Sequence, residues 1–269
     1  MSDTAGPLII IGGHEEKEGR RAVLREVAKR VQGEKLIIAT IASHEPEGYF
    51  EGYQKAFSDL GVGALVELYL DGRWQAADEQ KLAVFEGAGG LFFTGGDQLR
   101  IASQIGDTPV EEAVRKLHAR GKVIAGTSAG ASVMSETMLV AGASAETHRI
   151  GDLRMAPGLG LMKNVIIDQH FAERGRVGRL LGAVAHNPRM LGVGIDENTA
   201  IIVENGRFGV VGQGGVYVVD GEHSTHSNIA EAHASSTLSM HDVRLHVLSA
   251  GGFFDLAERR PEPPAHGSD

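Results

Sequence analysis

The five residues Gly126-Thr127-Ser128-Ala129-Gly130 have the spacing of a serine set on a sharp turn between a strand and a helix. In such a turn the flanking glycines keep side chains off a crowded backbone and the serine hydroxyl projects above the sheet. The turn also aims backbone N–H groups at a reacting carbonyl. Lys122 to Ala125 reads as the strand, and Ala129 to about Glu136 as the helix. A glycine-rich βα turn with an ordinary capping serine would be written with the same five letters, so the assignment depends on partners elsewhere in the chain.

A serine at neutral pH needs a base, and a histidine oriented by a carboxylate is the usual one. Of the 12 histidines, His170 is the best placed, because it closes the apolar run from Val165 at a strand end, where open parallel sheets bind their ligands. Asp168 and His170 alternate onto one face of that strand, with Gln169 on the other. Two acids, Asp196 and Glu197, compete to orient the histidine, both at the end of the run Leu191–Ile195. Either gives the chain order Ser, His, acid, which differs from the Ser, acid, His order of α/β-hydrolases. Thr94-Gly95-Gly96-Asp97-Gln98 follows a buried run and supplies a candidate oxyanion hole, Gly96 N–H with Ala129 N–H; a phosphate-binding or merely tight turn is the alternative. Arg174, Arg176 and Arg179 are expected to open the next helix. Cations there oppose the macrodipole unless they face an acidic neighbour or an anionic ligand.

The surrounding pattern predicts the elements that hold these residues. Strands are expected at Leu8–Ile11, Lys35–Ile41, Ala64–Leu70, Gly90–Phe93 and Val123–Ala125, alternating with helices at 18–31, 47–60, 98–104 and 110–120. This is the signature of βα units around a parallel sheet. After Ser128, short strands at 165–168, 191–195, 200–203, 209–211, 216–219 and 243–248 are expected to extend the sheet as antiparallel hairpins, with one helix at Arg174–Ala185. The predicted fold class is therefore an α/β three-layer sandwich with a central, mainly parallel sheet. A single domain over 1–269 is expected, with 258–269 frayed.

Composition narrows the function classes. A formal charge of −9 speaks against a nucleic-acid partner, and no apolar run is long enough to span a bilayer. Met1 to Pro7 lacks a basic segment followed by a long apolar one, which predicts a cytoplasmic protein. The absence of cysteine excludes disulfides, thiolate metal sites and cysteine nucleophiles. His223, His226, His233, His241 and His246 fit no ligand spacing such as H-E-x-x-H and read as surface or partner residues. Gly12-Gly13-His14 lacks both G-x-G-x-x-G and a Walker lysine, which leaves little signal for nucleotide binding.

Taken together and in order, Ile10-Ile11-Gly12-Gly13, Phe93 to Gln98, Gly126 to Ala131, Asp168 to Phe171 with Arg174, Arg176, Gly178, Arg179 and Leu180, and Gly194 to Ala200 resemble the cyanophycinase family of serine peptidases, which also includes the aspartyl dipeptidases. The resemblance implies an exopeptidase that releases β-aspartyl-arginine dipeptides from cyanophycin, a polyaspartate carrying arginine on each β-carboxyl. It implies Ser128 as nucleophile, His170 as base and Glu197 as its orienting acid, with Gln98, Asp168, Gln169, Arg174, Arg176 and Arg179 as the substrate pocket. It further implies a homodimer without metal or cofactor. A dipeptidase of the same family acting on free aspartyl or isoaspartyl dipeptides is the alternative, and a non-catalytic binding module on the same fold is a second. His14 stands where the resemblance leads one to expect a small residue, and the segment 222–239 matches no family motif.

Overall fold

The computed structural model describes residues 5–141 and 153–262, apart from Gln32, Glu45, Ala232 and Ala234. Its strands are β1 (Leu8–Ile11), β2 (Lys35–Ala39), β3 (Ala64–Leu68), β4 (Ala88–Phe93), β5 (Val123–Thr127), β6 (Thr137–Ala141), β7 (Arg154–Pro157), β8 (Val165–Gln169), β9 (Leu191–Ile195), β10 (Thr199–Glu204), β11 (Arg207–Gly212), β12 (Val216–Asp220), β13 (His226–Ser227), β14 (Met240–His241), β15 (Arg244–Leu248), β16 (Phe253–Asp255) and β17 (Arg260–Glu262). Its α-helices are α1 (Ala22–Val31), α2 (Tyr49–Ser58), α3 (Glu79–Ala83), α4 (Gln98–Ile105), α5 (Pro109–Ala119), α6 (Ala129–Ser132) and α7 (Val177–His186). No described helix is long and apolar enough to cross a membrane.

Among the described residues the central sheet runs β17-β16-β11-β10-β1-β5-β4-β2-β3. The five strands from β3 to β1 are parallel, and β10, β11, β16 and β17 extend the sheet in antiparallel fashion. Alternation along the strands divides the core. Ile9, Ile11, Leu36, Ile38 and Phe92 pack under α1 and α2, where Val23, Val27, Tyr53 and Phe57 meet them. Ile10, Ile37, Leu91, Phe93 and Ile124 face the opposite layer.

That opposite layer holds the main departure from expectation. Strands β8, β9, β12 and β15 do not extend the central sheet but form a second one in the order β15-β12-β9-β8, with β8 and β9 parallel. Ile167, Val193, Ile195, Val216 and Val218 bury one face of it against the central layer. Ile166 and Val219 on the other face pack against Leu180, Ala183 and Val184 of α7. Short apolar strands buried on both faces carry no local mark of which sheet they will join.

Several boundaries also move. Helix α6 ends at Ser132 because the segment 158–162 captures the following carbonyls, with Leu159 N–H on Val133 O at 2.7 Å and Met162 N–H on Met134 O at 2.9 Å. Helix α7 begins only at Val177 because Gly175, with φ 57°, takes a left-handed conformation that interrupts a helix. Arg260 to Glu262, expected to fray, pair with β16, while 263–269 lie outside the described residues. The short elements at 73–77, 79–83, 137–141 and 154–157 have no counterpart in the sequence reading.

Candidate active site

Ser128 follows β5 directly and precedes α6, with φ 52° and ψ −110°, a strained conformation for a residue with a side chain. The flanking glycines are required by space. A Cβ on Gly126 would stand 2.3 Å from Gly130 O, and one on Gly130 would stand 2.4 Å from Phe93 O. Ser128 Oγ lies 2.9 Å from His170 Nε2, and His170 Nδ1 lies 2.7 Å from Glu197 Oε1. With the carboxylate accepting from Nδ1, Nε2 is the nitrogen free to accept the serine proton. His170 is buried directly after β8, and Glu197 is half-buried two residues beyond β9. Asp196, the competing acid, has its carboxylate taken by Ala172 N–H at 2.9 Å and Gly215 N–H at 2.8 Å, so Glu197 is the acid that meets the imidazole.

Three successive carbonyls at the end of β1 gather these segments. Ile11 O accepts from Ser128 N–H at 3.1 Å, Gly12 O from His170 N–H at 2.8 Å, and Gly13 O from Asn198 N–H at 2.8 Å. The approach is too close for side chains. A Cβ on Gly12 would meet Asp196 O at 2.0 Å, and one on Gly13, where φ is 106°, would meet His170 Cε1 at 2.3 Å. This Gly-Gly pair, which in the sequence is one motif of the resemblance and a poor match to a nucleotide-binding turn, is the hub of the site.

Gly95 and Gly96 border Ser128 from β4. A Cβ on Gly95 would lie 3.9 Å from Ser128 Oγ, and one on Gly96, with φ 140°, would meet Ala42 O at 2.5 Å. Among the described residues the N–H groups of Gly96 and Ala129 donate no hydrogen bond, which leaves both available to an oxyanion. Glu15 was missed by sequence reading. Buried beneath the turn, its carboxylate accepts from Thr127 Oγ1 and from Tyr53 Oη, each at 2.5 Å, and burial together with Glu15 pushes the Tyr53 hydroxyl well up. An isolated acid after a glycine pair carries no periodic signal that would have revealed this.

The six expected pocket residues separate into two groups. Arg174 is exposed, and Gln98 is half-buried with its amide donating to Leu139 O at 2.7 Å. Asp168, Gln169, Arg176 and Arg179 are buried in one network. Arg179 grips Asp168 with Nε at 2.9 Å and with Nη2, Arg176 Nη1 reaches the same carboxylate at 3.2 Å, and Arg176 also donates to Gln169. Asp168, expected to contact substrate in the pocket, is instead held by two guanidiniums of its own chain. This pairing also answers the unfavourable placement of arginines near a helix N-terminus. Burial, only partly offset by Asp168, brings the Arg176 guanidinium down to about 10.

Burial likewise lowers the His170 imidazole below its ordinary value; Glu197 opposes that shift, and Arg174 and His14 add to it. His14, exposed, turns its ring edge-on to His170 with centroids 5.1 Å apart and places Nδ1 3.4 Å from Glu197 Oε2. The donor atoms of His14, His170 and Glu197 lie within 4.8 Å of one another and are the one group among the described residues able to hold a metal ion.

A serine on a strand–helix turn, hydrogen-bonded to a histidine backed by a carboxylate and placed beside unpaired N–H groups, has the geometry of the serine-type hydrolases. The chain belongs to peptidase family S51, whose model matches residues 8–211. It is 41% identical over 267 residues to the cyanophycinases of Trichormus variabilis and of a Nostoc species, covering 98% of this chain and 90% of each relative. To that of Geminocystis herdmanii it is 36% identical over 258 residues, covering 94% of this chain and 95% of the relative. The fold is shared with a crystal structure of a peptidase from an acI-B1 actinobacterium, at TM-score 0.68 and 21% identity, covering 95% of this chain and 98% of that one.

Asp168→Ala leaves two buried guanidiniums without their carboxylate, for which a loss of about 3–5 kcal/mol is expected. Chemical denaturation of the variant beside the parent measures it, and a loss under about 1 kcal/mol would mean that the network is solvated rather than structural.

Proposed function

We propose that this peptidase degrades cyanophycin as an exopeptidase, releasing β-aspartyl-arginine dipeptides, and that Ser128, His170 and Glu197 carry the reaction. The observation that carries the reading is the continuous hydrogen-bonded chain from Ser128 Oγ through His170 to Glu197. The substrate class rests on the identity with cyanophycinases over nearly the whole chain. The same reading takes the enzyme as a cytoplasmic homodimer.

The chemistry follows from the arrangement. Ser128 Oγ attacks the scissile carbonyl carbon while its proton passes to His170 Nε2, and Glu197 stabilises the imidazolium that forms. Gly96 and Ala129 N–H groups receive the oxyanion. Collapse breaks the carbon–nitrogen bond, with the proton on Nε2 delivered to the leaving amine. Water, deprotonated by the same nitrogen, then attacks the acyl carbon and frees the serine. Arg174 and Gln98 contact the substrate, Arg174 as the exposed cation able to meet a carboxylate. Asp168, Gln169, Arg176 and Arg179 shape the pocket floor and set the loop that carries Arg174.

Purified protein incubated with cyanophycin is expected to release soluble β-aspartyl-arginine, read by mass spectrometry. Ser128→Ala should lower the rate about a millionfold. Cleavage of free aspartyl dipeptides with the polymer left intact would favour the dipeptidase alternative, and an unchanged rate in Ser128→Ala would remove the catalytic assignment.

Only neutral His170 accepts the serine proton, so kcat/KM rises as pH passes upward through its pKa. Because burial, Arg174 and His14 lower that pKa, the acid limb is expected below the ordinary imidazole value. Arg174→Gln removes one lowering influence and should move the limb to higher pH; a pH–rate profile showing it stationary or moved lower would contradict the assignment.

A further inference from the structure

Outside the reaction itself, the least explained feature is His14. Its left-handed backbone, φ 49°, carries the imidazole out of the glycine hub and over the histidine–carboxylate pair, where it contacts Glu197 and the edge of the His170 ring while remaining 70% exposed. The reaction described above gives it no task.

The donors assembled there suit a particular ion. Two imidazoles and one carboxylate from three separate segments form a set that zinc favours, with room for water at a fourth position. Metal–nitrogen and metal–oxygen bonds of roughly 2.0–2.1 Å in a tetrahedron put neighbouring donors about 3.3–3.4 Å apart. His14 Nδ1 and Glu197 Oε2 already stand at 3.4 Å, and all three donors lie within 4.8 Å, so a turn of the exposed His14 ring with a small rotation of Glu197 completes the site. Local charge permits it. The Glu173 carboxylate, which accepts from Glu197 N–H at 3.2 Å, adds a negative charge beside Glu197, where Arg174 acts on His170 as a cation.

We infer that His14, His170 and Glu197 form an inhibitory zinc site that switches the peptidase off. The ion takes the place of the proton on His170 Nδ1, that proton passes to water, and the hydrogen bond to Glu197 is exchanged for two metal bonds. With its Nδ1 coordinated, the imidazole can no longer be stabilised as an imidazolium and ceases to act as a base. The inhibitory consequence rests on the catalytic reading given above, whereas the binding does not.

The two are therefore measured separately. Isothermal titration of the metal-stripped protein with Zn2+ alone should show one site per chain, and Mg2+, a hard cation that prefers oxygen ligands, should give none. Dipeptide release should fall in step with zinc occupancy and return on adding a chelator. His14→Asn keeps a residue that tolerates positive φ but removes the ligand. Relative to its own chelator-treated rate, this variant should need about a hundredfold more zinc for half inhibition. His14→Ala serves as a second variant and should behave alike. Absence of a zinc isotherm in the parent, or zinc sensitivity in both variants equal to the parent's, overturns the site. An isotherm lost in the variants from a protein with no hydrolytic activity would keep the site and reject the catalytic reading instead.

Discussion

The active arrangement depends on how closely other segments approach the backbone at the end of β1. Carbonyls 11, 12 and 13 each accept from a different segment, one bearing Ser128, one bearing His170 and one adjoining Glu197. Two of those segments come from the second sheet and one from the central sheet, so this short stretch fixes the two sheets relative to each other at the site. Glycine is required at 12 and 13 because a Cβ there would overlap the Asp196 carbonyl and the His170 ring. The His170 backbone is thus tied to Gly12 and its ring lies against the Gly13 backbone, which preserves a hydrogen-bond geometry that a loop alone would let wander.

Around this hub lies a shell of three buried carboxylates, each held by hydrogen bonds. Glu15 ties the residue before Ser128 to Tyr53 of α2, Asp196 ties the turn after β9 to Ala172 and Gly215, and Asp168 binds the arginines behind His170. Leaving such a group unpaired costs about 1–3 kcal/mol, more for a charge, so each network holds its segment firmly while adding little net stability. The strain at Ser128 and His170, both at positive φ, is held by these contacts.

Much of this was legible in the sequence, for identifiable reasons. Local patterns gave the parallel strands, the helices between them and the turn at Ser128, because burial on a period of two or 3.6 residues is written locally. Strand ends pointed to His170 and to the pair at 196–197. What decides between Asp196 and Glu197 is contact with segments at 172 and 215, and neighbouring residues of like charge look the same without it. The second sheet was read as an extension of the first because pairing partners are set by distant residues. Asp168 and its arginines were placed together by resemblance, yet only the structure shows that they satisfy one another. Glu15 and the hub glycines act through long-range hydrogen bonds that leave no periodic trace.

The central claim, that Ser128 is the activated nucleophile, is tested most directly by covalent labelling with a serine-directed fluorophosphonate followed by peptide mapping. The account predicts one adduct, on Ser128, formed rapidly by the parent and severely slowed in His170→Ala. An adduct on another residue, or labelling of Ser128 at an undiminished rate without the histidine, would contradict it.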